Sequence, residues 1–147
     1  MPNFRVLPPI ELDDVVGRGV FSARRAKRAR NNKISHDIFL EKPGVSSLSV
    51  DRLNHAPDET VAEISDRIAL GRPTPSGKPS EFFGWATKTV EHVSENGRSV
   101  QETPKLDNIF HADIYLNIQS GPEMRDLEKQ HANELAAGAK WRGRPIR

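Results

Sequence analysis

The residues of this 147-residue chain that could carry out acid–base chemistry are centred on one short segment near position 111. His111 and Asp113 are two positions apart, and on a strand this spacing places both side chains on the same face. A histidine beside a carboxylate is what a general base or a metal site needs. The structural alternative is a His-x-Asp pair on the solvated face of a half-buried strand.

Two further residues could complete such a catalytic group. Arg52 follows a predicted strand, and its guanidinium suits a phosphate or carboxylate, although an ion pair that closes the strand end is the structural alternative. His131 lies on the apolar stripe of the predicted last helix, where a buried structural histidine is the alternative. In an enzyme, His111 would be the acid/base, Asp113 would orient it and Arg52 would clamp an anion. This interpretation requires His111 and Arg52 on the same face, within about 10 Å across a pocket.

Other site chemistry finds little support in the sequence. The chain contains no cysteine, which excludes disulfides, thiolate zinc sites, iron–sulfur clusters and cysteine nucleophiles. Histidines and carboxylates are scattered without the spacing of metal ligands, so neither a metal nor a cofactor is predicted. The glycine-containing segment 71–79 departs from a P-loop, because five residues separate its glycines and Pro79 replaces the hydroxyl residue.

The most unusual charged feature is a basic run in a predicted helix over residues 20–31. Its five cations cover roughly 220° of the helix circumference and leave only Ala26 and Ala29 as an apolar face. Cations this close repel one another unless anions are nearby, and phosphates supply that compensation. The predicted nucleic-acid or anion-binding residues are therefore Arg24, Arg25, Lys27, Arg28 and Arg30.

The distribution of charge along the chain supports a polyanionic partner. The net charge is +2, but residues 1–33 carry eight Lys and Arg against three acids, and residues 140–147 carry four and none. The intervening segment is acidic, so the basic ends could bind a polyanion or fold back onto this body. Of nine aromatic residues, only Phe21 is close to the basic run, which argues against base stacking and for contacts to a nucleic-acid backbone.

The pattern of elements predicts an α+β fold, with a mostly antiparallel sheet of about five strands packed with two to three helices. We divide the chain into an extended arm and basic helix (1–33), an α+β core (34–141) and a basic tail (142–147). The predicted elements are a short helix from Asp13, strands over 34–40 and 45–50, a helix over 58–71, a hairpin of 82–92 with 98–103 around Asn96-Gly97, a strand over 109–118 and a helix over 121–140 capped by Ser120.

The leading functional prediction is a small cytoplasmic accessory domain that binds a nucleic-acid backbone or an acidic protein partner through its basic helix. One alternative is a small RNA- or nucleotide-directed enzyme built on the His111 group. Another is a protein-interaction or assembly subunit, which would expose a broad apolar patch. No window approaches the ~18–20 apolar residues of a membrane span, and the signal-peptide pattern is missing, so we expect no membrane contact. The sequence assigns no oligomeric state.

Overall fold

The computed structural model describes residues 7–72 and 74–146. The predicted α+β class is confirmed: these residues form one antiparallel sheet of six strands where about five were expected, with four helices where two to three were expected. The strands are β1 Val15–Val20, β2 Ser47–Arg52, β3 Gly84–Thr89, β4 Ser99–Glu102, β5 His111–Tyr115 and β6 Lys140–Gly143, in the spatial order β4-β5-β2-β1-β3-β6. The helices are α1 Ala23–Arg30, α2 Asp58–Leu70, the one-turn α3 Val90–Val93 and α4 Met124–Ala136. No helix in the described ranges is long and apolar enough to cross a membrane.

The sheet has a hydrophobic core on each face, because side chains alternate along every strand. The α4 face is the side on which strand residues pack with α4; its core includes Leu48, Val50, Ala112, Ile114, Ala132 and Leu135. The α2 face is the opposite side, with a core that includes Leu53, Val61, Phe82, Trp85 and Phe110. The predicted helix over 58–71 is confirmed as α2, and Gly71 follows its last residue.

The strand β1 lies in the middle of the sheet, and the helix predicted to start at Asp13 is wrong. Val16 and Val20 alternate into the α4-face core, while Gly17 lies on the α2 face beneath Trp85. A Cβ on Gly17 would be 2.7 Å from the Cβ of Trp85. Gly17 and Gly19, which would interrupt a helix, therefore belong to a strand, and the Trp85 side chain packs directly against Gly17.

The segment 34–40 is not a strand, because its two large apolar residues are adjacent and both buried. His36–Phe39 forms a short 3₁₀ turn that places Ile38 and Phe39 together in the α4-face core. A strand would send neighbouring side chains to opposite faces. The predicted pairing of this segment with residues 45–50 is therefore wrong, and β2 pairs instead with β1 and β5.

The hairpin predicted around Asn96-Gly97 is also wrong, although a turn exists there. Both residues have positive φ angles, 57° and 83°, as the Asn-Gly pair favours. The turn, however, follows α3 and leads into β4, which pairs with β5 and not with β3. The Asn-Gly pair correctly predicted a turn, whereas the sequence did not show which strand β4 pairs with.

The last helix is shorter than predicted at both ends. It begins at Met124 behind Glu123, and Ser120 does not cap it. After its last residue the chain turns at Gly138, whose φ is +77°, and forms the edge strand β6 on β3. Part of the predicted helix and part of the predicted tail are therefore this strand.

The buried face of α4 is rotated from the stripe that the apolar spacing predicts, Met124, Leu127, His131 and Leu135. Glu128 is 2% exposed and lies on the buried face with His131 and Leu135, whereas Leu127 is half-buried. The Glu128 carboxylate accepts a hydrogen bond of 3.1 Å from the backbone N–H of Gly44. A buried and satisfied carboxylate on this face is indistinguishable from a solvated one in the sequence pattern.

Candidate functional site

The basic helix α1 is held by the small face that its sequence leaves for packing. Ala26 and Ala29 are fully buried, and the Ser22 side chain caps the helix by accepting a hydrogen bond from the backbone N–H of Arg25. The exposed cations are Arg24, Lys27, Arg28 and Arg30. The helix therefore docks through two alanines and directs most of its charge to solvent.

Asp37 is the acidic residue that pairs with α1. Its Oδ2 lies 3.2 Å from the Nε of Arg25 and 3.9 Å from an Nη of Arg24. Burial alone would raise the pKa of Asp37, but the hydrogen bond from Ser35 and the charge of Arg25 outweigh it and lower this pKa. The remaining cations of α1, Lys27, Arg28 and Arg30, form no ion pair with any residue in the described ranges.

The C-terminal basic segment behaves differently from α1. Arg142 pairs with Asp58 at 3.5 Å, and Arg144 makes a two-pronged contact with Asp66. These cations fold back onto acidic residues of α2, as the alternative interpretation of the basic ends expects. Arg147 lies outside the described residues.

A cavity of about 600 Å³ opens beside α1, where β1 and β2 stop pairing. The two strands are in register only at Val16–Arg52 and Gly17–Asp51, and the cavity is lined by Asp51 and by residues beyond these pairs, such as Arg18 and Ser49. The remaining walls come from α1, α2, the 3₁₀ turn and the loop before β5. Its volume lies within the roughly 300–1,000 Å³ that small-molecule sites occupy.

A buried carboxylate lines the inner part of the cavity. Asp51 is 9% exposed and accepts hydrogen bonds from the indole Nε1 of Trp85 at 3.0 Å and the side-chain amide of Asn108 at 2.9 Å. Burial raises the pKa of Asp51, and these donors, with the Ser65 hydroxyl, act in the opposite direction. Asp51 is thus a preorganised acceptor whose donors come from three other elements.

His111 lies opposite Asp51 in the β2–β5 register and also lines the cavity. Its Nδ1 is 3.0 Å from the backbone carbonyl of Thr103 and 2.9 Å from the hydroxyl of the same residue, and we assign the ring proton to Nδ1 because a carbonyl oxygen only accepts hydrogen bonds. The Nε2 atom is buried and has no hydrogen-bond partner among the described residues. In the neutral ring this nitrogen holds a lone pair that can accept a hydrogen bond or a proton.

Most of the exposed charged residues that line the cavity are basic. Lys42, Arg72 and Lys105 are exposed, line the cavity and make no ion pair within the described part of the chain, and the exposed carboxylate Asp107 lines it as well. Arg18 is already engaged: it pairs with Glu41 and donates 2.9 Å and 3.1 Å hydrogen bonds to backbone carbonyls. Three cations against one carboxylate therefore remain unpaired along the cavity lining.

The structure does not bring the four predicted catalytic residues together. His111 and Asp113 share the α2 face of the sheet, but Thr103, and not Asp113, orients the imidazole. Arg52 follows Asp51 in β2 and so points to the opposite face, where it contacts Asp14 at 3.6 Å.

His131 also lies on the α4 side of the sheet, in a separate polar cluster. Its Nδ1 is 2.8 Å from an Nη of Arg98, which also donates to Glu134 at 2.7 Å. The hydrogen bond from Arg98 is the main cause that lowers the pKa of Glu134 to about 2, while burial and then the charge of Arg98 lower the pKa of His131. This cluster connects α4 with the turn before β4 through Arg98. His131 is therefore a buried structural histidine, the alternative that its position on the apolar stripe indicated.

Several residues that orient Asp51 and His111 escaped the sequence pattern because they are joined only by tertiary contacts. Thr103, Asn108 and Trp85 lie on different elements and share no spacing that marks them as a group. Strand alternation places Asp51 beside His111 only once the register is known, and the sequence pattern alone indicated the neighbouring Arg52. Among the described residues, no three His, Asp or Glu side chains converge as they would around a metal ion.

Comparisons with protein-family models, curated proteins and solved structures gave no match to this chain.

Proposed function

We propose that this protein binds the phosphate backbone of a nucleic acid through the exposed face of α1. The supporting observation is the contrast between the two basic segments of the protein, α1 and the C-terminal segment that carries Arg142 and Arg144. Arg142 and Arg144 are paired with the protein's own acids, whereas Lys27, Arg28 and Arg30 have no such partner among the described residues. Unpaired like charges on adjacent helical turns destabilise a free helix, and bound phosphates relieve this repulsion with release of counterions.

The surface chemistry of α1 favours a nucleic acid over an acidic protein. Protein interfaces are anchored by buried aromatic and other apolar residues at their centre. The large apolar side chains that are exposed in the described chain are Leu12, Val45, Leu70, Leu106 and Ile146, and none of them is on α1. Four of the five cations are arginines, and the planar guanidinium group of arginine can donate two parallel hydrogen bonds to two oxygens of one phosphate.

The expected binding mode is contact with the backbone without recognition of base sequence. Arg24 and Arg28 are one turn apart, about 6 Å along the helix axis, so this face spans only a few phosphates. Aromatic side chains on which bases could stack are missing from α1. Affinity should therefore depend strongly on salt and weakly on sequence.

Fluorescence anisotropy with labelled probes tests this proposal. The probes are a 20-base-pair DNA duplex, a second duplex of scrambled sequence and poly-glutamate of similar charge. Three phosphate contacts predict that duplex affinity falls about 40-fold between 50 and 200 mM salt, equally for both sequences. Absence of duplex binding at 50 mM salt would contradict the proposal, and tighter binding of poly-glutamate would replace it with an acidic protein partner.

A further inference from the structure

We infer that the cavity beside α1 is a separate binding site for a nucleoside monophosphate. Three independent features of its lining match three parts of such a ligand: a buried nitrogen without a partner, half-buried apolar side chains and exposed cations without ion pairs. The inference does not depend on nucleic-acid binding by α1, because the residues that carry it belong to other elements.

The His111 Nε2 atom at the cavity has no hydrogen-bond partner among the described residues and suits a ligand that donates one. His111 is 7% exposed, and its Nδ1 is committed to Thr103, so the ring cannot turn to satisfy Nε2 without losing that bond. Buried polar atoms in folded proteins nearly always have partners, since an unsatisfied one is costly. Asp51 is already occupied by donors from Trp85 and Asn108. Nε2 is therefore the free acceptor for a ribose hydroxyl or a base N–H.

Part of the cavity lining is apolar. Phe21, Leu40 and Ile68 line it and are half-buried, so each has apolar surface that a ligand could cover. The Phe21 ring contacts Phe82 at 5.6 Å between centroids, and the part of it that stays exposed is a surface against which a planar base can stack. Inorganic phosphate alone would leave this wall and the buried His111 without contacts.

The exposed cations of the lining suit a phosphate group. Lys42, Arg72 and Lys105 have no ion-pair partner in the described ranges, come from three different segments and outnumber the one exposed carboxylate of the lining, Asp107. Cations that three separate segments supply to one cavity are a better match to a compact dianion than to an extended polymer. Arg18 and Arg25, which also line the cavity, are already paired with Glu41 and Asp37.

Isothermal titration calorimetry of the full chain tests the site, with each of the four nucleoside 5′-monophosphates, the matching nucleosides and inorganic phosphate as probes. We expect at least one nucleotide to bind at least about tenfold more tightly than its nucleoside or phosphate. Equal binding of phosphate and nucleotide, or no binding at millimolar concentrations, would overturn the inference.

Two charge-matched double variants separate this site from α1. Arg72→Gln with Lys105→Gln should weaken nucleotide binding at least about tenfold, whereas Lys27→Gln with Arg28→Gln should leave it within about twofold and weaken duplex binding instead. Nucleotide affinity lost equally in both variants would overturn the location of the site. The two proposals can therefore fail separately.

Nuclear magnetic resonance of the unmodified protein gives a readout that needs no variant at His111. With ¹⁵N-labelled histidine, the Nε2 resonance of His111 should shift when nucleotide saturates the protein, because the nitrogen gains a hydrogen bond. The His131 ring, on the other side of the sheet, should keep its resonance. Nucleotide binding that leaves His111 unchanged would contradict the proposed role of Nε2.

Discussion

The indole of Trp85 crosses the central strand β1 and donates a hydrogen bond of 3.0 Å to the carboxylate of Asp51. Trp85 belongs to β3 and Asp51 to β2, so the contact spans the strand between them. Gly17 makes this contact sterically accessible, because it has no side chain where the tryptophan passes. One glycine of the central strand thus links the core of the sheet to the buried part of the cavity.

Replacement of Gly17 by alanine should therefore destabilise the protein by about 1–3 kcal/mol, the usual range for overpacking. The new Cβ would lie 2.7 Å from the Cβ of Trp85 and 2.8 Å from a methyl of Leu53, so the indole must move away from Asp51. Urea unfolding measures the change. Gly121→Ala is the matched control, since a Cβ there meets nothing within 4 Å. Equal stability of the two variants would show that Trp85 is not constrained by β1.

The rotated face of α4 gives a second prediction. Glu128→Ala removes the acceptor of the Gly44 N–H and the partner of Arg125, and should cost about 1–3 kcal/mol. Lys129→Ala, at the exposed next position, should be close to neutral. Leu135→Ala should cost about 2–5 kcal/mol, because Leu135 is fully buried. Thermal unfolding that shows Glu128→Ala to be as stable as Lys129→Ala would contradict this packing.

The polar cluster around Arg98 predicts that stability falls on acidification. The pKa of His131 is lowered below 6.5 in the folded state, so the unfolded chain binds the proton more readily and stability is lost as the pH falls from about 6.5. The pKa of Glu134 is lowered from 4.5 to about 2, so its contribution is present above pH 4.5 and lost between about 4.5 and 2.

Urea unfolding at pH 7, 5.5 and 3.5 separates the two groups. His131→Gln should remove part of the loss between pH 7 and 5.5, and Glu134→Gln part of the loss below pH 4.5. After allowance for solvent screening, the Glu134 contribution is about 1–2 kcal/mol. A wild-type stability that is constant from pH 7 to 3.5 would show that neither group is stabilised as described.

Local sequence patterns predicted some elements because those elements depend on local chemistry. The apolar spacing and terminal glycine of α2, the alanine face of α1 and the left-handed pair Asn96-Gly97 are all visible within a few residues of sequence. His111 was identified as a candidate because alternation on a strand is also a local property. These features require no knowledge of which segments meet in space.

The remaining features depend on long-range packing. Gly17 and Gly19 disrupt a helical pattern, but only the position of Trp85 on the neighbouring strand shows that they belong to the centre of the sheet. The acceptor of the His111 proton is a backbone carbonyl, which every residue possesses, so no side-chain pattern marks Thr103. Arg52 and Asp51 are adjacent, and only the register determines which one faces His111.

The central claim is that the unpaired cations of α1 contact phosphates. Its most direct test is the slope of log K against log salt for duplex binding, compared between two triple variants of equal charge change. The first replaces Lys27, Arg28 and Arg30 by Gln; the control replaces the exposed cations Arg67, Lys129 and Lys140 by Gln.

We predict that the α1 variant flattens the slope by about two to three units, at about −0.9 per contacted phosphate, while its melting temperature stays close to that of the wild type. Stability should be retained because Ala26 and Ala29, and not the cations, pack against the core. The control should keep the wild-type slope. An α1 variant with an unchanged slope, or a control that flattens it equally, would contradict phosphate binding by this helix.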